Sequence, residues 1–416
     1  MKNKVFELNR RRLAKKLDDN SLLILFAGNA PKKTADEKYQ FTPNRNFYYL
    51  TGIDEEDHIF VMEKSNGNVT AKMFIKEIDE EKEKWLGKTI RKEEVYEISK
   101  IEEVAYLGEF RPYLNKVLNE SIEKTIYLDL ERDEFSSFPS ISSAFGSELR
   151  DKYANVNIKN VFPLMAPLRL VKSDEEVAEM QKAIDITIEG VKSIMKNVKP
   201  GMKEYELEAY FEFECRRRGT CDYAFKTIAA AGKNATILHY VDNNSEAKDG
   251  DLILFDLGAQ VNYYNGDISR TFPVNGKFTE RQKEVYEAVL RVNERVINEL
   301  KSGVNFLEMN KKSRDWIAEE CINLGLIKDK KDVSKYYWHS IGHSLGLDTH
   351  DIDNPGRNTT LEPGMIYTVE PGIYIAEEGI GVRIEDDVLI TKDGNEVLTK
   401  NMIKGVKDIE EFMTRC

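Results

Sequence analysis

Two nine-residue segments of the chain share one frame, and this repeat limits the possible folds more than any other feature. The segments are GDLILFDLG (250–258) and GMIYTVEPG (364–372). Each has a glycine, five residues rich in strand formers, an acid, one further residue and a closing glycine. The frame places one carboxylate, Asp256 or Glu370, near the end of an apolar strand, so it predicts an internal repeat built from strands.

Each repeated strand is followed by a second strand candidate that brings another acid. Asp267 stands in GDISRTFPV, and Glu385 stands in GVRIEDD. In an antiparallel hairpin, facing residues have a constant sum of positions. A turn at Val261-Asn262 would therefore set Asp256 opposite Asp267. Asn265-Gly266 offers a competing turn that would destroy this register.

The second hairpin predicts the same arrangement, because a turn at Glu377-Glu378 would set Glu370 opposite Glu385. Like charges that face each other destabilise a sheet, and carboxylates removed from water without a counter-charge take up protons. Two divalent cations would neutralise the four carboxylates, and oxygen-rich ligation favours Mn²⁺, Mg²⁺ or Co²⁺ over zinc. The alternative is that the acids lie on exposed strand faces and never meet. Arg383 favours the metal hypothesis, because it shares a strand face with Glu385 and can hold a liganding carboxylate in place.

Three of the five histidines lie in one stretch, WHSIGHSLGLDTHD. His339 and His343 are four apart, a spacing at which two side chains on one helix face can bind one metal ion. Gly342 and Gly346 each weaken a helix by about 1 kcal/mol relative to Ala, so a glycine-rich loop or strand is expected instead. The spacing leaves two possibilities open for these histidines and for His350: metal ligands, or polar loop residues without a ligand role.

Composition excludes several classes of function. The chain has 416 residues, of which 41% are hydrophobic, enough for the cores of two domains. The net charge of −12 disfavours nucleic acid as a partner. No run of 18 apolar residues occurs and the basic start lacks a signal-peptide core, so no membrane partner is expected. A cytoplasmic location fits the cysteines, which form no CxxC pair: Cys215, Cys221, Cys321 and Cys416.

The hydrophobic pattern predicts two domains. Short apolar runs, among them SLLILFAG and a hairpin around Asn66-Gly67, alternate with polar helical stretches, so residues 1–167 are expected to form an α/β domain. Ser173 and Glu176 then begin a long amphipathic helix with a capping box. Residues 168–416 are expected to form the second domain, which contains the acidic hairpins.

Several stretches together resemble the proline-specific metallopeptidases of the pita-bread fold. They are NRNFYYLTGIDEED, KWLG, ILHY, FDLGAQVNYYNGDISRTFPVNGKF, WHSIGHSLGLDTHD, TVEPGIYI and GVRIEDD. The resemblance is strongest to the Xaa-Pro aminopeptidases, also called aminopeptidase P, and covers nearly all of the chain. It implies an α/β (α+β) fold, with an aminopeptidase P N-terminal-like domain at 1–167. A pita-bread catalytic domain with an internal pseudo-two-fold repeat is implied at 168–416.

The resemblance implies a centre of two divalent metal ions, with Mn²⁺ expected and Co²⁺ or Zn²⁺ as alternatives. The five metal-binding positions of the family are all filled here. Asp267 and Glu385 match carboxylates that bridge the ions. Asp256 matches a ligand of one ion, whereas His343 and Glu370 match ligands of the other.

The resemblance also implies catalytic residues around the metals. His239 and His350 match histidines that contact the substrate and stabilise or shuttle protons in the transition state. Glu370 is expected to handle the proton of the attacking water, and Arg383 matches a family position near the metals.

Three further residues match positions that support the site or bind substrate. His339 is expected to line the site without binding metal, and Tyr374 to lie near the metals. Trp85 resembles a residue that a neighbouring subunit places at the substrate pocket. The charged run around Trp85 is otherwise expected to form a solvated face with this side chain beneath it.

The implied activity is hydrolysis of the bond between an N-terminal residue and a following proline, with a bridging water or hydroxide as the nucleophile. The expected substrates are peptides with proline in the second position. A homo-oligomer, dimer or tetramer, is expected, because family members often form one. Two alternatives stay open. One is Xaa-Pro dipeptidase (prolidase), which uses the same centre, and the other is a non-catalytic protein that uses the fold for binding.

Overall fold

The acidic hairpins belong to the second of two units into which the chain divides. The structure is a computed structural model that describes residues 4–131, 134, 138–220, 222–353 and 358–414. The units are Met1–Arg169 and Leu170–Cys416. Both contain helices and strands, as expected for the α/β class. Cys215 and Cys321 are buried free thiols, whereas Cys221 and Cys416 lie outside the described residues.

The N-terminal unit is built around a mixed β-sheet. Its elements are α1 (Lys4–Ala14), β1 (Ser21–Phe26), β2 (Lys32–Thr34), β3 (Glu37–Lys38), α2 (Arg45–Thr51), β4 (Ile59–Ser65), β5 (Asn68–Ile75), α3 (Glu80–Leu86), α4 (Lys92–Ser99), β6 (Glu103–Tyr106), a 3-10 turn (Leu107–Glu109), α5 (Phe110–Asn119), β7 (Lys124–Leu128), α6 (Ile141–Lys152), β8 (Val156–Asn160) and α7 (Phe162–Leu170). In the described part of the unit, the main sheet has the strand order β6-β5-β4-β1-β7-β8.

The hairpin predicted around Asn66-Gly67 is confirmed. Ser65 pairs with Asn68, which leaves these two residues as the turn, and both have positive φ. Two-residue hairpin turns require such backbone angles, which Asn and Gly adopt readily. One buried core cluster of this unit lies between the sheet and helices α5 and α6, where Phe110 and Phe145 pack with strand residues such as Ile24.

The second unit repeats one order of elements, two long helices followed by antiparallel strands. The first half contains α8 (Asp174–Asn197), α9 (Glu204–Arg217), β9 (Ile228–Ala231), a 3-10 turn (Gly232–Thr236), β10 (Leu252–Leu257), β11 (Gln260–Val261), β12 (Tyr264–Asn265) and β13 (Ile268–Pro273). The second half contains α10 (Glu280–Glu299), α11 (Phe306–Asn323), a 3-10 turn (Lys330–Lys335), β14 (Ile366–Val369), β15 (Gly372–Ile375), β16 (Ile380–Arg383), β17 (Asp386–Ile390), β18 (Asn395–Val397) and α12 (Val406–Thr414).

The predicted start of helix α8 is confirmed. Ser173 is its N-cap, and its side chain accepts a hydrogen bond from the backbone N–H of Glu176, whose carboxylate accepts one from the N–H of Ser173. The histidine-rich stretch that precedes β14 is irregular chain with one short bridge, Ser344 to Tyr367, which agrees with the glycine-rich loop expected there. Within the described residues, no helix is both long and apolar enough to span a membrane.

Candidate metal centre

The first acidic hairpin has a different register from the one predicted. Asp256 on β10 pairs with Ser269 on β13, so the prediction that Asp256 faces Asp267 is wrong. The ladder continues through β11 and β12, and the turn falls at Asn262-Tyr263, both with positive φ. The observed register therefore differs from the predicted one by two residues. Because side chains alternate between the two faces of a strand, Asp256 and Asp267 still lie on the same face.

The second acidic hairpin has the predicted register. Val369 pairs with Asp386, and Gly372 pairs with Arg383. The residue numbers of both pairs add up to the same total as those of the predicted pair, Glu370 and Glu385. Glu370 and Glu385 occupy facing positions in the short gap between these ladders. The backbone N–H of Glu385 donates instead to Ser269, which ties this gap to strand β13 of the first hairpin.

The two hairpins and the histidine loop bring a compact set of possible metal ligands together. Asp267, His343 and Glu385 are buried, and each offers a ligand atom within 4.8 Å of the others. His343 Nε2 is 3.5 Å from Asp267 Oδ2 and 3.7 Å from Glu370 Oε1. These side chains and Asp256 all line one cleft of about 650 Å³. The five predicted ligands therefore share one site.

Arg383 connects the carboxylates of the two hairpins. Its Nη2 donates to Asp256 Oδ2 at 2.5 Å, and its Nε donates to Ser269 Oγ at 2.8 Å. Ser269 Oγ in turn donates to Glu385 Oε2 at 2.8 Å. Sequence reasoning missed Ser269, although its position two residues after Asp267 places it on the same strand face.

Asp387 is a second residue that sequence reasoning missed. Its Oδ2 accepts a hydrogen bond from the backbone N–H of Asp267, at 3.1 Å, and this bond holds the chain that carries Asp267. The available signal was its position in GVRIEDD, two residues after Glu385 and hence on the same face of the strand.

Burial and mutual repulsion disfavour ionisation of the central carboxylates. Burial, followed by the charges of Glu385 and Asp256, raises the pKa of Asp267 well above its usual range. Burial, followed by the charge of Asp256, raises the pKa of Glu385 to about 8. Burial also raises the pKa of Asp387. Such a cluster needs additional positive charge in order to stay ionised at neutral pH.

The donor set fits divalent metal ions. Oδ1 of Asp256 and Oδ1 of Asp267 are buried and have no hydrogen-bond partner among the described residues. Buried carboxylate oxygens are normally paired, so these two atoms are available as ligands. His343 adds one nitrogen, because its Nδ1 lies 3.1 Å from the carbonyl of Ser344 and its Nε2 faces the carboxylates. Since a carbonyl can only accept, Nδ1 carries the proton and Nε2 offers its lone pair.

His339 differs from His343 in that both of its ring nitrogens are engaged by protein atoms. Nδ1 lies 2.8 Å from the carbonyl of Ser340, and Nε2 lies 2.8 Å from Tyr374 Oη. Burial and, second, the charge of Arg383 lower the pKa of His339 to about 3, so its ring is neutral. A neutral ring that donates from Nδ1 accepts the Tyr374 hydroxyl at Nε2, and Arg383 Nη1 donates to the same hydroxyl oxygen.

The two remaining histidines of the expected site are exposed in the cleft. His239 follows the 3-10 turn after β9, and His350 lies at the end of the histidine loop. The rings of His350 and His343 have centroids 4.3 Å apart. Both exposed imidazoles can therefore reach a molecule that enters the cleft.

Trp85 is on helix α3 of the N-terminal unit. It is 87% exposed, so the expectation that it packs beneath the charged run is wrong. Helix α3 has no buried residue, because its sequence EEKEKWL is too short and too polar to present an apolar stripe to a core.

Two models of known protein families match the chain, one in each of its two units. Residues 178–392 match metallopeptidase family M24, and residues 6–127 match the N-terminal domain of aminopeptidase P. The first match contains all five clustered ligand candidates, and it spans more than half of the chain.

Individual relatives match over nearly the whole length. The Xaa-Pro aminopeptidase of Escherichia coli (strain K12) is 32% identical, covering 98% of this chain and 97% of that protein. A Bacillus anthracis structure assigned to aminopeptidase P superposes with a TM-score of 0.98 at 46% identity, covering 100% of this chain and 99% of the other. The zinc-substituted E. coli aminopeptidase P in complex with product gives a TM-score of 0.92 at 31% identity, with 100% and 99% covered. The chain therefore belongs to metallopeptidase family M24 and is a metallo-aminopeptidase of the aminopeptidase P group.

Proposed function

We propose that this protein removes the N-terminal residue from peptides that carry proline in the second position, using two divalent metal ions. The observation that carries the proposal is the convergence of four carboxylates and one properly oriented imidazole on a single cleft. The relative from E. coli is a Xaa-Pro aminopeptidase, and this chain covers almost all of it.

The depth of the carboxylates supports a pair of ions. Asp267 and Glu385 lie deepest, with 4% of the Asp267 side chain and 2% of Glu385 exposed. The side chains of Asp256 and Glu370 are more open, at 15% and 18%. Two central acids flanked by two outer acids suit bridging and terminal ligation, respectively. The ions, when bound, would supply a hydroxide nucleophile near neutral pH and polarise the scissile carbonyl.

The chain's own residues account for the remaining chemistry. Glu370 is the most exposed of the four carboxylates and would take a proton from the attacking water. His239 and His350 present exposed imidazoles in the cleft, where they can donate to the oxygen on which negative charge develops. Arg383 and His339 hold Asp256 and Tyr374 in fixed positions and need not touch the substrate.

Specificity for proline has a simple chemical basis. An Xaa-Pro bond has no N–H and its proline ring fixes φ, so a peptidase that must bind that N–H fails on it. The cleft is lined beside the carboxylates by apolar side chains that suit a pyrrolidine ring: Ala224, Phe225, Ile228, Leu238 and Val241.

A peptide panel tests this proposal. With Mn²⁺ added, the protein should cleave Xaa-Pro-Pro and longer Xaa-Pro peptides, and it should spare the matched peptide with alanine in place of the second residue. An N-acetylated copy should resist cleavage, because acetylation removes the charged amine that would bind beside the carboxylates of the cleft. Turnover of the dipeptide Xaa-Pro alone would favour the dipeptidase alternative. Metal analysis covers the remaining alternative, since a protein that takes up none of Mn²⁺, Co²⁺ and Zn²⁺ would be a binding protein and not a peptidase.

The finer assignments need their own measurements. We propose Mn²⁺ as the preferred ion, because the donor set is oxygen-rich, and two ions per chain are expected from metal analysis. We also propose a cytoplasmic homo-oligomer, dimer or tetramer, in which Trp85 of one subunit helps to form the substrate pocket of another. Sedimentation should give more than one chain per particle, and Trp85→Ala should raise KM. A monomer with unchanged KM would contradict the role of Trp85.

A further inference from the structure

The segment that carries His239 has little regular structure of its own. It leaves β9 at Ala231, passes through the 3-10 turn and reaches Ser245 as irregular chain. Leu238, His239 and Val241 line the cleft. The position of the His239 ring therefore depends on whatever fixes the backbone of this segment.

One buried carboxylate accepts hydrogen bonds from both ends of this segment and from residues between them. Glu204, at the start of helix α9, is fully buried. Its Oε1 accepts from the backbone N–H of Ala231 at 2.8 Å and from Asn234 Nδ2 at 2.9 Å. Its Oε2 accepts from the hydroxyl of Tyr240 and from the backbone N–H of Ser245, both at 2.8 Å. The first and last of these donors are fourteen positions apart in sequence.

Neighbouring contacts strengthen the same arrangement. The backbone N–H of Glu204 donates to the carbonyl of Ser245 at 3.0 Å, so residue 204 is bonded to residue 245 in both directions. Tyr240, the residue after His239, packs in a buried cluster with Tyr374 and Leu254. The Tyr240 hydroxyl reaches Glu204 from this cluster, and the adjacent His239 is turned to the cleft.

A carboxylate that is buried away from water needs hydrogen-bond donors around it, because an unpaired buried charge strongly destabilises the folded state. Among the residues that the structure describes, the Glu204 carboxylate has four donors, and all four come from residues 231–245. A buried acid that served only the start of helix α9 would bond to the N–H groups of that helix. Its bonds go to the His239 segment instead.

We propose that Glu204 is the positioning residue for His239, in that its carboxylate fixes the backbone of residues 231–245 and so holds the imidazole at the substrate. The inference rests on the proposed role of His239 in peptide hydrolysis. Glu204 does not touch the cleft itself and acts through the segment that it binds.

The substitution Glu204→Gln tests this, because the amide keeps the size of the side chain but replaces one acceptor oxygen with a donor. Glu176→Gln is the matched control. Glu176 is an equally buried acid of the same unit that bonds to Ser173 and Tyr264, away from the His239 segment. Hydrogen exchange gives a readout that is independent of activity. Glu204→Gln should speed exchange of peptides spanning 231–245 at least tenfold, whereas Glu176→Gln should leave their exchange unchanged.

Kinetics with the proposed substrate give the second readout. Glu204→Gln should lower kcat/KM about 10- to 100-fold, as expected when a catalytic group is displaced by about 1 Å, with metal content unchanged. In a His239→Ala background it should cost little more, because the group that it positions is gone. Glu176→Gln should change kcat/KM by the same factor in both backgrounds.

The outcomes separate this inference from the proposed function. Two results would overturn the positioning role while the peptidase assignment stands. One is unchanged hydrogen exchange at 231–245 in Glu204→Gln, and the other is a loss of kcat/KM from Glu204→Gln that is as large in the His239→Ala background as in the wild type. A wild-type protein that cleaves no Xaa-Pro peptide would refute the proposed function, whereas the exchange experiment would still decide whether Glu204 fixes the segment. If His239→Ala kept full activity, the bonds of Glu204 to this segment could not serve catalysis through His239.

Discussion

Arg383 donates to Asp256 through a charge-assisted hydrogen bond of 2.5 Å, Nη2 to Oδ2, across the two hairpins that carry the candidate ligands. The same guanidinium reaches Ser269 and Tyr374, so one planar group orients three side chains. A guanidinium has five donors in a fixed geometry, which an ammonium group cannot reproduce.

Arg383→Lys should therefore fail to restore the site although it preserves the charge. We expect a loss of about 10- to 100-fold in metal affinity or in kcat/KM, the range found when a partner of a metal ligand is removed. Metal titration calorimetry and steady-state kinetics measure the two effects. Ser269→Ala, which removes the link to Glu385 alone, should give a smaller loss. A lysine variant with wild-type metal affinity and activity would contradict the bridging role of the guanidinium.

Asp267→Asn should abolish activity and also change how stability depends on metal. In chelator-treated protein, burial and the charges of Glu385 and Asp256 raise the pKa of Asp267. A carboxyl group with a raised folded-state pKa loses stabilisation as pH rises from its unfolded value, near 4, through its folded value. The chelated wild type should therefore unfold at lower temperature at pH 8 than at pH 5, and Asp267→Asn should flatten this trend.

Added Mn²⁺ provides the companion measurement for Asp267→Asn. For each ion bound, the wild type should gain about 2.7 kcal/mol at a metal concentration one hundred times Kd, and the variant should gain much less. Calorimetric unfolding in chelator and in Mn²⁺ gives both values. An Asn variant with full metal stabilisation would show that Asp267 does not bind metal.

His343 and His350 should separate metal binding from turnover. His343 points Nε2 at Asp267 and Glu370, so His343→Ala should lower both metal content and activity. His350 is exposed in the cleft, and His350→Ala should lower kcat while the metal content stays at the wild-type value. Metal analysis of the two purified variants beside a kinetic assay makes the comparison. Loss of metal from the His350 variant would contradict the division of roles.

His58 should make the N-terminal unit sensitive to acid. It is fully buried, and neither ring nitrogen has a hydrogen-bond partner among the described residues. Burial and, second, the charge of Lys76 lower the pKa of His58 from 6.5 to about 4. Between these values the unfolded chain binds a proton that the folded chain does not, so stability falls as pH falls, by about 3 kcal/mol over the whole interval.

Replacement of His58 with phenylalanine tests this, because the variant keeps a ring of similar size without a titrating group. The unfolding temperature of His58→Phe should fall less than that of the wild type between pH 7 and pH 4.5. Parallel curves for the two proteins would exclude His58 as the cause. Titration of the metal site affects both proteins equally and cancels in the comparison.

Much of the candidate site was predictable from local patterns. The repeated Gly-acid frame and the constant-sum rule gave the correct register for Glu370 and Glu385, because the residues on both sides form regular ladders. The glycines of the histidine stretch correctly excluded a helix. The family resemblance supplied the specific ligand set, which strand patterns alone left open.

Other features were not accessible from the sequence, for physical reasons. The turn at Asn262-Tyr263 was missed because a tyrosine with positive φ is unfavourable by itself and is stabilised here by the short β11–β12 ladder. The strand position of Ser269 indicated its face but not its distant partners Glu385 and Arg383. Glu204 bonds to residues distant in sequence, and no periodicity signals such contacts. Trp85 was placed beneath a charged face by its apolar character, but helix α3 has no core to pack against.

The register of the first hairpin determines which changes in strand pairing this site can tolerate. What the chemistry requires of that hairpin is parity: Asp256 and Asp267 must stay on one face, whichever residues are directly opposite. An insertion of two residues at Asn262-Tyr263 that extends the loop would preserve this relation. A single-residue insertion that shifted the ladder by one position would turn one carboxylate to the opposite face of the sheet. The hairpin thus tolerates loop changes that keep the ladder register or shift it by two residues, whereas lineages whose ladder shifted by one residue would need a compensating bulge to keep the acids together.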